Sequence, residues 1–254
     1  MLTLFNAEKQ RVPIKAWVTS ADDLDATCLE QALNLASLPF AFRHIALMPD
    51  THSGYGMPIG GVFASSDVVI PNAVGVDIGC GMGFARHNRE KIMRRVQEIV
   101  VQGLNRHAGV KDVNISQEVS AHHNYAAHER HFGQDVWVHR KGAIRALQGE
   151  PGIIPGAMGS ASYLVEGLGN AESFCSASHG AGRVMGRKEA IRAFGLDEIL
   201  AHFEAERVVL GKRRKSDTAE EYYKAYKNIE DVMANQADLA KPVLKVKTVA
   251  VIKG

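Results

Sequence analysis

The chain has 254 residues, 46% hydrophobic and 23% charged, with a formal net charge of +2. This is the make-up of an ordinary globular protein with material for one large domain or two small ones. The charge is too small to imply nucleic acid by itself, and no apolar run approaches the roughly 20 residues of a membrane span. The N-terminal stretch has no basic segment leading into an apolar one, and Cys28, Cys80 and Cys175 follow no disulfide framework, so a reducing, cytoplasmic setting is expected.

In chain order, residues up to about 17 predict a strand or arm. The spacing of Leu24, Cys28, Leu29, Ala32, Leu33 and Ala36 predicts a helix over 21–38, capped by Ser20 or Asp22 and ended at Leu38–Pro39. Residues 45–83 follow, rich in glycine, with the potential metal ligands Asp50, His52, Asp77 and Cys80 set between the glycines. The short apolar runs 45–48, 68–70 and 74–78 predict buried strands whose ends would carry a site. Asp77 and Cys80 stand three positions apart, with Gly79 to bend the chain. A hard oxygen beside a soft sulfur suits Mn, Zn, Co or Fe better than Ca or Mg. Such a pair is equally compatible with a turn-forming Asp and a buried Cys acting as a small hydrophobe.

A second helix is expected over 89–104, with Ile92, Met93, Val96, Ile99, Val100 and Leu104 in one stripe and Gly103 and Asn105 at its close. Residues 118–147 hold five histidines. His128 and His131 read as surface residues. His122 and His123, beside Asn124, are better ligand candidates, and only one of the two can readily face a single site. VWVHR alternates as a strand, with Val138 and Arg140 on one face and His139 and Lys141 on the other. Residues 153–165 read as two apolar runs around a Pro-Gly-Ala-Ser loop whose N–H and hydroxyl groups could hold phosphate. In FCSASHGAGRVMGR, His179 lies in a glycine-rich turn expected to enter a helix, where an anion is favoured and a histidine could attack phosphorus. A capping turn around a buried histidine fits the same residues. The tail predicts a helix from 197, a basic run over 212–215, an amphipathic helix over EEYYKAYKNIEDVMANQADLA and a closing strand. No repeat or low-complexity linker divides the chain, so residues 1–254 read as one domain.

Taken together, MPDTHSGYGMPIGG, VGVDIGCGM, HHNY, VHRKGA, IIPGAMG, SHGAGRVMGR and the terminal VIKG resemble the RtcB family, the GTP-dependent RNA ligases. These join a 3′-phosphate or 2′,3′-cyclic phosphate end to a 5′-hydroxyl end. The resemblance implies an α+β fold, mixed in order, with a β-sandwich-like core flanked by helices. It implies Mn²⁺ held by Asp77, Cys80 and His123, and His179 as the nucleophile that becomes guanylylated. It implies a GTP site along His123, Asn124, Pro155, Gly156, Ala157, Met158, Ser162, His179, Gly180, Ala181, Gly182 and Lys253. Arg140, Lys141, Arg183 and Arg187 are candidates for RNA phosphates, and the expected partner is RNA with broken ends, such as tRNA, with no membrane.

The chain also departs from the family pattern. It passes from GMGFAR almost directly to HNREKIMRRV, an internal deletion near residues 84–88 where family members carry a large central segment with the GNHF and HSGSRG motifs. It has Ala157 and Gly186 where Ser is usual. A degenerate, non-catalytic nucleotide- and metal-binding relative acting with a partner is therefore the alternative expectation.

Overall fold

A computed structural model describes residues 1–74, 83–116, 118–212 and 218–253, and of 83–89, 212 and 253 the backbone only. The chain runs β1 (Leu2–Leu4), β2 (Ile14–Ala16), α1 (Ala26–Ala36), β3 (Ala41–His52), β4 (Ile59–Ser65), α2 (Gly83–Ala108), β5 (Asn124–His131), β6 (Gln134–Lys141), β7 (Ala143–Arg145), β8 (Pro151–Ile154), β9 (Ser162–Gly167), β10 (Ser176–Ser178), α3 (Arg187–Ala193), α4 (Leu196–Ala205), β11 (Val209–Lys212), α5 (Ile229–Asn235), β12 (Ala240–Val246) and β13 (Ala250–Lys253). The fold is α+β, as expected.

The main sheet has the order β1-β2-β3-β4-β6-β5. Its middle strands are covered on both faces, and the period-two alternation of a strand divides their side chains between two cores. Ile45, Leu47 and Phe63 pack with α1 through Ala32, Leu35 and Ala36. Ala46, Met48, Val62, Ala64, Val136 and Val138 share the second core with Ile154, Tyr163 and Val165 of the small sheet β12-β9-β8, and with Ile229 and Val232 of α5. The two sheets thus share one apolar filling.

Several predicted elements come out differently. The first helix begins at Ala26 because Asp25, not Ser20 or Asp22, accepts from the Cys28 N–H, while Ser20 caps a separate 3-10 turn over Ala21–Asp23. Residues 68–70 form no strand: Val69 is exposed and a 3-10 turn, Pro71–Val74, follows. The rest of the predicted 74–78 strand lies outside the described residues. The second helix continues through Gly103 and Asn105 to Ala108, and its apolar stripe, Ile92 to Leu104, is exposed. The predicted tail helix breaks into 3-10 turns at Thr218–Glu221 and Tyr223–Ala225 before α5. Burying Tyr222 and Ala225 and capping α5 with Asn228, whose side chain accepts from the Glu230 N–H, override the helical pattern there. The closing segment is two strands, and β13 pairs in parallel with β11.

Candidate functional site

The site forms where β6 turns into β7. Gly142 holds φ +64° at this crossing, a left-handed conformation that glycine adopts without the penalty of a Cβ. A Cβ there would also lie 2.4 Å from Ile59 Cγ2 and 3.0 Å from His179 Cε1. Strand β10 pairs antiparallel with β7, Ser178 opposite Ala143, so the next residue, His179, is delivered beside Gly142. From the other side, β5 pairs with β6, Asn124 opposite Lys141. Asn124 Oδ1 accepts from the Gly142 N–H at 2.8 Å, and the His123 carbonyl accepts from the Ala143 N–H at 3.2 Å. The imidazoles of His123 and His179 end stacked, with centroids 5.2 Å apart and 18° between planes.

The fourth contributor is the end of β3. Asp50 is fully buried, and its Oδ2 accepts from His179 Nδ1 at 2.8 Å and from the His179 N–H at 3.3 Å. Its Oδ1, also buried, has no hydrogen-bond partner among the described residues. Burial works to lower the pKa of His179, but the hydrogen bond and charge of Asp50 outweigh it, helped by the Gly142 carbonyl, and the ring is raised above its ordinary value. A carboxylate on Nδ1 fixes the ring's orientation and leaves Nε2 as the nitrogen for chemistry. The Asp50 backbone is met closely by Gly182, φ +72°, where a Cβ would sit 2.2 Å from the Asp50 carbonyl oxygen. His52, read from sequence as a potential ligand, donates from Nδ1 to the Asp50 carbonyl at 2.8 Å, and burial lowers its pKa.

Beside His179 opens a cavity of about 290 Å³ between His52, Pro155, Gly156, the 180–183 turn, Arg187 and Tyr226. A neighbouring depression of about 230 Å³ shares Gly156 and Tyr226 and adds Ala157, Met158 and Glu221. A larger groove of about 540 Å³, lined by Tyr163, Glu230, Met233, Lys241 and Pro242 among others, contains none of these histidines. Ser162 Oγ, within the expected nucleotide segment, accepts from the Gly156 N–H at 3.1 Å and shapes the 155–158 loop.

The structure therefore brings together His123, Asn124, 155–158, Ser162 and His179–Gly182 of the expected site. Asp77 and Cys80 lie outside the described residues, and for Lys253 only the backbone is described. Among the described residues no three His, Cys, Asp or Glu side chains gather as a metal centre; of the expected Mn²⁺ set, His123 alone can be placed, and it faces the His179 ring.

Two of the phosphate candidates have other work. Arg140 is completely buried. Its guanidinium donates to both Glu129 oxygens at 2.6 and 2.9 Å, to Ser176 Oγ at 2.9 Å, to the Phe174 carbonyl at 2.9 Å and to Tyr125 Oη at 3.2 Å. With its donors so engaged it is a strut, bracing the turn that launches β10 towards His179. Lys141 is 5% exposed and donates to the carbonyls of Tyr55 and Asn72. Arg183 lines the cavity but is held by Glu221, Tyr226 and the Glu220 carbonyl, whereas Arg187 is exposed and only loosely paired with Glu221 at 3.7 Å. His179 does not enter a helix: α3 begins at Arg187, with Gly186 as its cap. His128 is exposed as expected, but His131 is buried against Glu129 and Phe174.

Sequence reasoning did not assign roles to Tyr226, Lys227 or Glu221, and it read Asp50 only as a potential metal ligand, not as the histidine's partner. Those 129 residues of separation leave no local signal.

The model of the tRNA-splicing ligase RtcB family matches residues 31–85 and 82–254. The chain is similar to the RNA-splicing ligase RtcB of Escherichia coli, 27% identical over 408 aligned positions that include 96% of this chain and 98% of the relative. It is 35% identical over 196 positions to the tRNA-splicing ligase RtcB of Methanocaldococcus jannaschii, covering 69% of this chain and 20% of the relative. With the RNA-splicing ligase RtcB of Mycobacterium tuberculosis it shares 29% over 245 positions, 89% of this chain and 51% of the relative.

Proposed function

The chain belongs to the RtcB family, and from that premise we propose that it is an RNA ligase that uses GTP to join a 3′-phosphate or 2′,3′-cyclic phosphate end to a 5′-hydroxyl end. The observation that carries the reading is the Asp50–His179 pair beside the cavity. With Nδ1 committed to Asp50, His179 Nε2, once free of its proton, attacks the α-phosphorus of GTP, the bond to the bridging oxygen breaks and pyrophosphate leaves. A 2′,3′-cyclic end is first opened to the 3′-phosphate by water, which breaks the bond to the 2′-oxygen, and the guanylyl group then passes from Nε2 to an oxygen of that 3′-phosphate. The 5′-hydroxyl displaces GMP and completes the phosphodiester.

Asp77, Cys80 and His123 would hold Mn²⁺, an oxygen, sulfur and nitrogen donor set that suits a borderline cation. Bound there it would supply charge neutralisation at the phosphates. The chain's own groups do the rest: Asp50 orients the imidazole, the 155–158 loop and Tyr226 wall the cavity, and Arg187 offers an exposed guanidinium for phosphate.

A second reading, a non-catalytic relative that binds nucleotide or metal and works with a partner, draws on one observation. The Escherichia coli alignment runs over 408 positions against 254 residues here, so at least 154 (408 − 254) positions of that relative have no counterpart. Incubation with Mn²⁺ and α-labelled GTP, then denaturing electrophoresis, separates the two. The ligase reading expects an acid-labile covalent label that His179→Ala abolishes, followed by ligation of phosphate-ended RNA. Folded protein that takes no label supports the non-catalytic relative.

A further inference from the structure

We infer that Lys227 is a positioning residue for His179, acting through Asp50; the inference rests on the reading of His179 as the nucleophile. Lys227 follows Tyr226 of the cavity wall and precedes Asn228, the cap of α5. Its ammonium passes behind the site and donates to the carbonyl of Pro49 at 2.9 Å and to that of Thr51 at 2.7 Å, the residues on either side of Asp50. Its backbone N–H donates at 2.9 Å to the carbonyl of Gly182, the glycine that presses on the Asp50 backbone. One residue thus ties together three segments of chain: the end of β3, the glycine turn after His179, and the lead into α5.

The chemistry explains why a lysine stands there. Asp50 is a buried carboxylate with one oxygen on His179 and the other without a described partner. Such a group is costly unless charge and geometry compensate it. Lys227 supplies a nearby cation and pins the peptide on each side of the carboxylate, so that Asp50 can turn only towards His179. Burial lowers the pKa of this lysine, and the charge of Asp50 opposes that fall. Two carbonyls in a fixed bracket are a specific receptor for a three-donor ammonium.

The test uses the full chain with ¹⁵N-labelled histidine. In the wild type, the Nδ1 proton of His179 gives a downfield, slowly exchanging signal, assigned by its loss in His179→Ala. Lys227→Met is expected to lose that signal while its melting temperature stays near that of the wild type, and Lys227→Arg, which keeps cation and donors, is expected to restore it. Lys227→Gln, with one amide donor and no charge, serves where Met does not fold. Either uncharged variant that folds and keeps the signal overturns the inference, as does a wild type without it. Labelling by α-labelled GTP is read in parallel. If it occurs, Lys227→Met lowers it on the order of 10²-fold, with no further loss when added to Asp50→Asn, since both act on one ring. A wild type that shows the proton signal but takes no guanylate overturns the ligase chemistry and leaves the positioning role standing.

Discussion

Replacing Glu129 by Gln keeps the side-chain shape but removes the charge facing the buried Arg140. Burial alone would raise the Glu129 pKa, but hydrogen bonds from His131 and Arg140, with the Arg140 charge, outweigh it and hold the carboxyl at about 2, against an ordinary 4.5. Because the folded value is depressed, the stabilisation is complete above the unfolded pKa and is lost as pH falls through the folded one. The gap between the two values corresponds to about 3 kcal/mol at pH 7, falling to about 1 kcal/mol by pH 3. The same size follows from leaving a buried cation unpaired, about 3–5 kcal/mol. Urea denaturation of the wild type and Glu129→Gln at both pH values measures the gap. A loss below 1 kcal/mol at pH 7, or one equal at the two pH values, would show that Arg140 is not braced by this charge.

Asp50→Asn is expected to leave the fold intact and to cut guanylylation by on the order of 10²–10⁴-fold, since an amide cannot hold the Nδ1 proton as a carboxylate does; quantified label on folded protein checks it. Gly182→Ala, at φ +72° with the Asp50 carbonyl 2.2 Å from the new Cβ, is expected to destabilise well beyond Gly133→Ala, at φ +80° with nothing within 4 Å. The latter should cost only the backbone strain, about 1 kcal/mol, and thermal melts of the two compare them directly. Arg187→Ala is expected to shift stability by less than about 0.5 kcal/mol, as for an exposed residue, while weakening GTP binding in an equilibrium titration. Cys80→Ala is expected to weaken Mn²⁺ binding, and a calorimetric titration with unchanged affinity would contradict its place among the ligands.

The strands around the site were legible where a local pattern carries the information. Residues 45–48 read as a buried strand because an uninterrupted apolar run with Val, Ile or Leu suits a strand covered on both faces. The 153–165 hairpin and its small-residue loop were legible for the same reason. His123 and His179 were visible as candidates, but their stacking depends on the β6–β7 crossing at Gly142, which no window of sequence reports. Arg140 misled because an arginine after a histidine in a strand reads as a surface cation. Its burial depends on Glu129 across a strand pair and on a carbonyl 34 residues away. The helix expected over the tyrosine-rich tail failed because tertiary burial of Tyr222 outweighs propensity.

The arrangement around Asp50 has a consequence for how the protein comes together. Its contacts join residues 129 and 178 positions apart in the chain, with β5 to β7 between them, so loop closure over most of the sequence must precede any Asp50–His179 bond. Long-range contacts of this kind form late, because their entropic cost falls due before their reward. If His179 is the nucleophile, it is competent only in fully folded chains, and a guanylyl mark on it would count native molecules in a refolding mixture while partly folded ones stay unlabelled.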